Sequence, residues 1–183
     1  MRADPETLVL GVQQAVAAGC DLTVDVVGGF GHDATALCRW LSFEDRIEVA
    51  GLAGRFRLHG DVAPAVRKQI LANSDAVLWV GRSVAGAGLP DPVVEGLAKG
   101  RPVIASAVPE LTWVPALADC VCLVEPGDPA TLASALRALT ADPGPFGRRL
   151  VAGIALMTEH ARGDVTRMAD TLRSSEARPF HVC

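Results

Sequence analysis

Two short glycine-rich segments could bring backbone amides close to a phosphate or a sugar. The first, Gly28–Ala34 (GGFGHDA), contains a GxGxxA pattern directly after an apolar run. Such a turn lets the backbone approach a phosphate, and the following helix offers free N–H groups. A dinucleotide site also needs an acidic residue ending the next strand, about 20 residues on. That region is predicted to be helical, so a phosphate- or sugar-facing turn is favoured, and a plain chain reversal stays open.

The second segment, Ser83–Gly88 (SVAGAG), lies between an apolar run and a predicted helix. Ligands of open α/β sheets bind at such loops, beyond the carboxyl ends of parallel strands. Asp91 is predicted to be the N-cap of this helix, and Glu95 is predicted to lie in its first turn. Glu95 could complement the positive end of the helix, or it could accept hydrogen bonds from sugar hydroxyls. The pattern leaves both roles open.

Other chemistries find little support in the residue pattern. The four histidines show no metal-ligand spacing, and no P-loop, nucleophile elbow or Ser/His/Asp arrangement is visible. The five cysteines are an odd, scattered set, which favours free thiols in a reducing compartment. Arg67, Lys68 and Arg82 come nearest to a local basic patch, and a solvated face is favoured for them over a functional one.

Composition narrows the function further. Of 183 residues, 50% are apolar and 21% are charged, so one domain with a real core is expected. A net charge of −4 argues against binding nucleic acid or an anionic membrane. We find no transmembrane run and no signal peptide in the sequence, and we expect a cytoplasmic protein.

Apolar, β-branched runs without strict alternation predict strands that are buried on both faces. They are Asp21–Gly28, Arg55–His59, Asp75–Gly81, Arg101–Ser106 and Asp119–Val124. Helical spacing predicts helices between them, at Pro5–Ala18, Pro64–Ala72, Pro92–Lys99 and Pro129–Thr140. This alternation indicates βαβ units. The predicted fold class is α/β, a Rossmann-like doubly wound parallel sheet of five strands in a single domain.

Two stretches are harder to assign. Glu44–Ala53 is predicted to be a helix, although Arg46–Ala50 could be a strand. Phe146–Ala177 is predicted to form two amphipathic helices that are broken near Gly163. The domain is therefore expected to span residues 1–177, with a frayed tail at residues 178–183.

Several motifs resemble those of one enzyme family. They are Glu95–Ser106 (EGLAKGRPVIAS), Val108–Glu110 (VPE), Leu123–Ala133 (LVEPGDPATLA), Arg2–Glu6 (RADPE) and Arg57–Val62 (RLHGDV). These segments resemble E-A-x-A-x-G-x-P-V-I-A-S, V-P-E, L-V-x-P-G-D-x-x-x-L-A, R-L-x-P-E-K-G and F-x-G-x-V of GT-B-fold retaining glycosyltransferases of the group 1, or family 4, type. The resemblance extends over most of the chain.

The resemblance implies one half of a GT-B fold, namely the carboxy-terminal domain that binds a UDP-, GDP- or ADP-sugar. A hexosyltransferase of this type retains the anomeric configuration and needs no metal or other cofactor. An amino-terminal acceptor domain or a partner chain would complete it. The donor-binding residues implied by the motifs are Arg2 at the diphosphate, Gly29 at a strand end, Val62 near the base, Ser83 and Gly88 at the sugar and diphosphate, and Glu95 at the ribose. With Gly60, most of these are expected along the carboxyl ends of the strands.

The sequence departs from the family pattern at the sugar. The glutamate expected eight residues before Glu95 is Ala87, or Ala85 if the loop has gained two residues, so no catalytic residue is assigned. The alternative reading is a truncated or degenerate, non-catalytic nucleotide-binding or interaction domain. Donor sugar, base, acceptor and activity of the chain alone stay open.

A second departure concerns the diphosphate. The lysine expected five residues after Arg2 is Thr7, and Asp91 would repel an anion at the start of its helix. The pattern therefore predicts that a nucleoside binds nearly as well as its diphosphate. A strong preference for the diphosphate would instead mean that Arg2 or Arg82 replaces the lysine.

Overall fold

The computed structural model describes residues 2–28, 34–82, 89–113, 115–152, 154, 155 and 158. Helices and strands alternate along the chain, as the sequence predicts. The elements are β1 (Arg2–Ala3), α1 (Pro5–Ala17), β2 (Val24–Val27), α2 (Ala34–Val49), β3 (Phe56–Gly60), α3 (Pro64–Asn73), β4 (Val77–Trp79), β5 (Gly81–Arg82), α4 (Asp91–Ala98), β6 (Val103–Ser106), α5 (Pro109–Thr112), α6 (Pro115–Cys120), β7 (Cys122–Val124) and α7 (Pro129–Ala141). Residues 144–152 are also helical. Within these ranges no helix has the length and apolarity needed to cross a membrane.

Parallel strands form two sheets. In one, β2 pairs with β3, and Val24 lies opposite Phe56. In the other, β6 lies between β4 and β7, so that Ile104 pairs with both neighbours. The short strands β1 and β5 pair antiparallel, with Arg2 opposite Arg82. The predicted α/β fold with parallel strands is confirmed, but the five predicted strands are divided between two sheets in the described part of the chain.

Strand β6 shows how helices cover the sheet on both faces. All four of its residues are buried. Ile104 belongs to a core cluster that includes α1 and α7, whereas Val103 and Ala105 belong to a second cluster with α4 and α5. Because alternate residues of a strand point to opposite faces, the sheet is packed between two helical layers. The first cluster also contains Val24 of β2, so the two sheets share one core.

Both parallel sheets have unpaired strand edges among the described residues. Among the described residues, β2 pairs only with β3, and β4 pairs only with β6. The residues of β4 are all half-buried, in contrast to the fully buried β6. An unpaired edge presents free N–H and C=O groups that can pair with another chain.

The edges of β2 and β4 predict concentration-dependent self-association of the 183-residue chain. We expect light scattering to show growing particles as the protein is concentrated to about 100 μM, because unpaired strand edges pair with one another. Val27 is the half-buried last residue of β2, so Val27→Lys adds a charge to this strand and is expected to reduce the association. A monodisperse monomer of the unmodified chain at that concentration contradicts this prediction.

The sequence placed several boundaries wrongly. Helix α2 begins at Ala34, ten residues before the predicted start, and residues 46–49 are helical, so the strand alternative there is wrong. Phe43 and Ile47 are buried one turn apart, and Trp40 donates to Glu44 across 2.7 Å, which extends the helical pattern upstream. The strand predicted from Asp119 starts at Cys122, because residues 119 and 120 end α6.

The two helices predicted for Phe146–Ala177 lie only partly within the described residues. The break near Gly163 and the frayed tail at residues 178–183 lie outside the described residues. Residues 146–152 are helical, in agreement with the first of the two predicted helices.

Candidate functional site

The carboxyl ends of β2 and β3 meet in a pair of glycines. The amide of Gly28 donates to the carbonyl of Gly60 across 2.8 Å. Their φ angles are 100° and 62°, which an L side chain rarely adopts. Among the described residues, a Cβ on either glycine would meet nothing within 4 Å. The positive φ angles, not a close contact with the described part of the chain, therefore favour glycine here.

Glu95 of α4 forms an ion pair with Arg67 of α3. Its Oε2 lies 2.9 Å from Nη2 of Arg67, and both side chains are about half exposed. Arg67 lies in the first turn of α3, which starts four residues after Gly60 at the end of β3. The pair therefore joins the middle of α4 to the first turn of α3, the helix that follows β3. Such an exposed pair contributes only about 0–1 kcal/mol to stability, so the carboxylate stays available to a ligand.

The start of α4 differs from the prediction. Pro90 is its N-cap, Asp91 is its first residue, and no side chain among the described residues caps the helix. The predicted N-cap role of Asp91 is wrong, because its backbone is already helical. Glu95 consequently lies in the second turn, not the first, where the helix dipole has largely faded. This weakens a purely electrostatic role for Glu95 at the helix end.

A second cluster surrounds Asp4 at the start of α1. Asp4 is 7% exposed, and its Oδ1 accepts from the amide of Thr7 across 3.2 Å. Its Oδ2 accepts from Nε of Arg82 across 3.0 Å. The amide of Asp4 donates to the carbonyl of Val80. Asp4 therefore fastens the amino end of α1 to the carboxyl end of β4 and to β5.

Hydrogen bonding keeps Asp4 charged. Burial by itself raises the pKa of Asp4, but the hydrogen bonds from Thr7 and Arg82 outweigh burial and hold this pKa below its ordinary value. Thr7 is only 3% exposed. The residue at the position of the expected phosphate lysine is thus a buried part of the helix cap.

Strand β5 is fixed to the end of β6. The amide of Gly81 donates to Oγ of Ser106 across 3.1 Å, and Ser106 is 1% exposed. This bond satisfies a buried hydroxyl and places Arg82, the next residue, at the carboxyl end of the sheet.

Of the donor-binding residues predicted from the sequence, some lie within the described residues and some outside them. The backbone of Arg2 pairs with that of Arg82 between β1 and β5. Val62 is half-buried just beyond β3, and Glu95 faces Arg67. Gly29, Ser83, Ala87 and Gly88 lie outside the described residues.

The basic residues Arg67 and Arg82 have different acidic partners. Arg67 pairs with Glu95, whereas Arg82 pairs with Asp4. Sequence reasoning missed Asp4 as a site residue. Its position before Pro5 signals an N-cap, but nothing local to it signals the partner 78 residues away.

A separate cavity of about 690 Å³ lies at the opposite end of the molecule. Its lining includes Gly19, Cys20 and Asp21, which precede β2, and Arg137 and Thr140 of α7. Because these residues lie at the amino end of β2, the cavity does not coincide with the Gly28–Gly60 turn.

The cysteines of the described part carry free thiols. Burial raises the pKa of the Cys120 thiol, aided by Asp119, and burial also raises that of Cys122 against the opposing effect of Arg149. Both thiols are therefore protonated at neutral pH and suited to packing. Among the described residues, no group of three or more His, Cys, Asp or Glu side chains could hold a metal ion.

Asp4→Ala is expected to cost about 0.5–2 kcal/mol of unfolding free energy at pH 7, as for other helix N-caps. Since the pKa of Asp4 is lowered on folding, its contribution is present above the unfolded value near 4 and is lost as pH falls through the folded value. Urea titrations at several pH values measure this. The control Asp75→Ala removes an exposed carboxylate, and the difference in unfolding free energy between it and the unmodified chain should not change with pH in this way. A difference for Asp4→Ala that persists unchanged at pH 2 contradicts the role of its charge.

Comparison with known proteins agrees with the fold. A sequence profile of the family described as "Glycosyl transferases group 1" matches residues 6–142. No curated protein sequence matches the chain.

Solved structures give similar folds at low identity. HepE from Anabaena in complex with UDP is 20% identical, with a TM-score of 0.73 over 95% of this chain and 47% of that chain. The carboxy-terminal domain of a group 1 glycosyl transferase, LpcC from Francisella tularensis, is 20% identical, with a TM-score of 0.70 over 84% of this chain and 76% of that chain. Sucrose-phosphate synthase from Thermosynechococcus elongatus is 20% identical, with a TM-score of 0.69 over 95% of this chain and 44% of that chain.

The chain spans about half the length of HepE and of the sucrose-phosphate synthase. The structural likeness shows a shared fold, that of one Rossmann-like half of a GT-B protein, and the sequence profile extends over more than half of the chain. The chain therefore belongs to the glycosyl transferases group 1 family.

Proposed function

We propose that this chain is the donor-binding, carboxy-terminal half of a glycosyltransferase that moves a hexose from a nucleotide-sugar to an acceptor with retention. The proposal rests on the Gly28–Gly60 turn at the carboxyl ends of β2 and β3, and on Glu95, which is ion-paired to the helix that follows β3, in a chain of this family. HepE has been solved with UDP and with UDP-glucose, which supports a UDP-, GDP- or ADP-sugar donor. An acceptor-binding domain or partner chain would supply the other half.

The nucleoside would bind between β3 and α4. Glu95 would accept hydrogen bonds from the ribose hydroxyls, because a carboxylate offers two oxygens, each with two lone pairs, and its Oε2 is paired with Arg67. The backbone at Val62 would lie near the base. The turn at Gly28 and the neighbouring Gly29 would let backbone amides approach the donor.

The sugar and diphosphate would lie along the carboxyl ends of β4 and β6. Arg2, Ser83 and Gly88 are the residues proposed to contact them. In glycosyl transfer the bond between the anomeric carbon and the diphosphate oxygen breaks, and negative charge grows on the leaving diphosphate. Cations and backbone amides aimed at that oxygen lower the barrier.

Calorimetric titration with UDP, GDP and ADP and their glucose conjugates tests the proposal. We expect one base to bind, with amide NMR shifts at Gly28 and Gly60 that inorganic diphosphate alone does not produce. If no nucleoside diphosphate binds, or if shifts occur only around the cavity at Cys20, the proposed site is wrong.

A second candidate is a nucleotide-binding module that transfers no sugar. It is favoured by the buried Thr7, which stands where the family pattern expects a lysine. The two functions are distinguished by joining the chain to an acceptor-binding half, adding a nucleotide-sugar and measuring the released nucleoside diphosphate by chromatography. Release of the diphosphate indicates a transferase, whereas binding of the donor without release favours the module.

A further inference from the structure

Arg82 and position 7 converge on one carboxylate. The two oxygens of Asp4 are divided between them: Oδ1 accepts from the Thr7 amide and Oδ2 accepts from Nε of Arg82. The guanidinium therefore lies beside the first turn of α1, although Thr7 and Arg82 are 75 positions apart in the sequence. Strand β5 thus supplies a cation close to position 7.

The rest of the guanidinium points along the carboxyl ends of the strands. One terminal nitrogen, Nη2, lies 3.8 Å from where a Cβ on Gly127 would be. Gly127 belongs to the turn between β7 and α7, and its φ of 78° favours glycine. Arg82 thus spans from the start of α1 to the end of β7.

The side chain of Arg82 is largely exposed among the described residues. Its side chain is 68% exposed, whereas that of Asp4 is 7% exposed. Nε is bonded to Asp4, and within the described ranges the terminal Nη groups have no hydrogen-bond partner. The two Nη groups of a guanidinium form a planar fork that matches two oxygens of a phosphate. Anchoring through Nε limits the rotamers, which reduces the entropy lost when the fork binds.

Carboxylates lie close to Arg82, so a diphosphate at this edge of the sheet would need a cation to offset their repulsion. Glu125 and Asp128 flank Gly127 in the same turn. Asp128 is occupied as the N-cap of α7, accepting from the amide of Ala130 across 2.8 Å. Without Arg82, a diphosphate at this edge would face carboxylates from both α1 and the β7–α7 turn.

We propose that Arg82, positioned by Asp4, binds the diphosphate of the donor and takes the role that the sequence pattern assigns to a lysine at position 7. The inference rests on the proposed function, because it assumes that a nucleoside diphosphate binds at this edge. It differs from the sequence-based expectation that nucleoside and diphosphate bind nearly equally.

The experiment compares the affinity of nucleoside and diphosphate for the unmodified chain and its variants. Calorimetry is run with uridine against UDP, guanosine against GDP, and adenosine against ADP. Arg82→Ala is expected to reduce the preference for the diphosphate about tenfold, the lower end for a charged hydrogen bond, and to leave nucleoside affinity unchanged. Arg82→Lys should retain part of the preference. Asp4→Asn should reduce it less than Arg82→Ala does, because the cation stays but loses its anchor.

Arg148→Ala is the matched control, since Arg148 is exposed in the helix of residues 144–152. It removes the same charge and should leave the preference unchanged. Arg82→Gln serves as a second neutral variant, and circular dichroism checks that each variant folds. An unchanged preference in Arg82→Ala and Arg82→Gln, with the nucleoside still bound, overturns the role of Arg82 but not the proposed function. If the unmodified chain binds neither nucleosides nor diphosphates, both proposals are wrong.

Discussion

Glu95→Gln is expected to weaken binding of the matching nucleoside by about ten- to a hundredfold. Glutamine keeps the size of the side chain but removes the charge, and a hydrogen bond to a charged group contributes about 1.5–3 kcal/mol. Calorimetric titration with uridine, guanosine and adenosine measures the effect. All three nucleosides contain the same ribose, so the affinity of whichever nucleoside binds should fall by this same factor.

The stability of Glu95→Gln separates a binding role from a structural one. The pair of Glu95 with Arg67 is half exposed, so its loss should change the unfolding free energy by no more than about 1 kcal/mol. Glu48→Gln is the matched control, because Glu48 is exposed near the end of α2. Nucleoside binding that is unchanged in Glu95→Gln would remove Glu95 from the site, whatever its effect on stability.

Leu132→Ala is expected to lower the unfolding free energy by about 2–5 kcal/mol, the range for deleting a buried leucine. Leu132 of α7 is 0% exposed. Its side chain packs directly against Gly11 of α1, where no side chain can move in to fill the cavity. Urea unfolding followed by circular dichroism gives the value. A loss below about 1 kcal/mol would contradict close packing of α1 on α7.

The pair Gly11 and Leu132 allows a sharper test. A Cβ on Gly11 would lie 2.7 Å from Cδ2 of Leu132, so Gly11→Ala alone is expected to destabilise through overpacking despite a gain in helix propensity. In the double variant, Gly11→Ala with Leu132→Ala, the clash is removed and the new methyl group at position 11 fills part of the cavity left by the leucine. We therefore expect the double variant to be more stable than the sum of the singles by about 0.5–3 kcal/mol.

Gly147→Ala is the control for that cycle. Gly147 is helical, and a Cβ there would meet nothing within 4 Å. It should show only the propensity gain of up to about 1 kcal/mol. Additive effects of Gly11→Ala and Leu132→Ala would show that the two residues do not touch in solution.

The sequence by itself predicted the parallel strands, most of the longer helices and the family. Strands appeared as short apolar runs, and helices α1, α3 and α7 were bounded to within about two residues. Asp128 and Pro129 marked the start of α7 because capping involves groups within three positions of each other. The motifs from Glu95 to Ala133 likewise named the family, since a motif is a local string of residues.

Only the tertiary structure decided which residues meet. Arg82 and Asp4 are 78 positions apart, and strand pairing between β1 and β5 brings them together. The contact of Arg67 with Glu95 depends in the same way on how α3 and α4 pack. The division of the parallel strands between two sheets also depends on partners distant in sequence. Local propensity acts over about one helical turn, whereas ion pairs and strand order depend on chain crossings that no local pattern encodes.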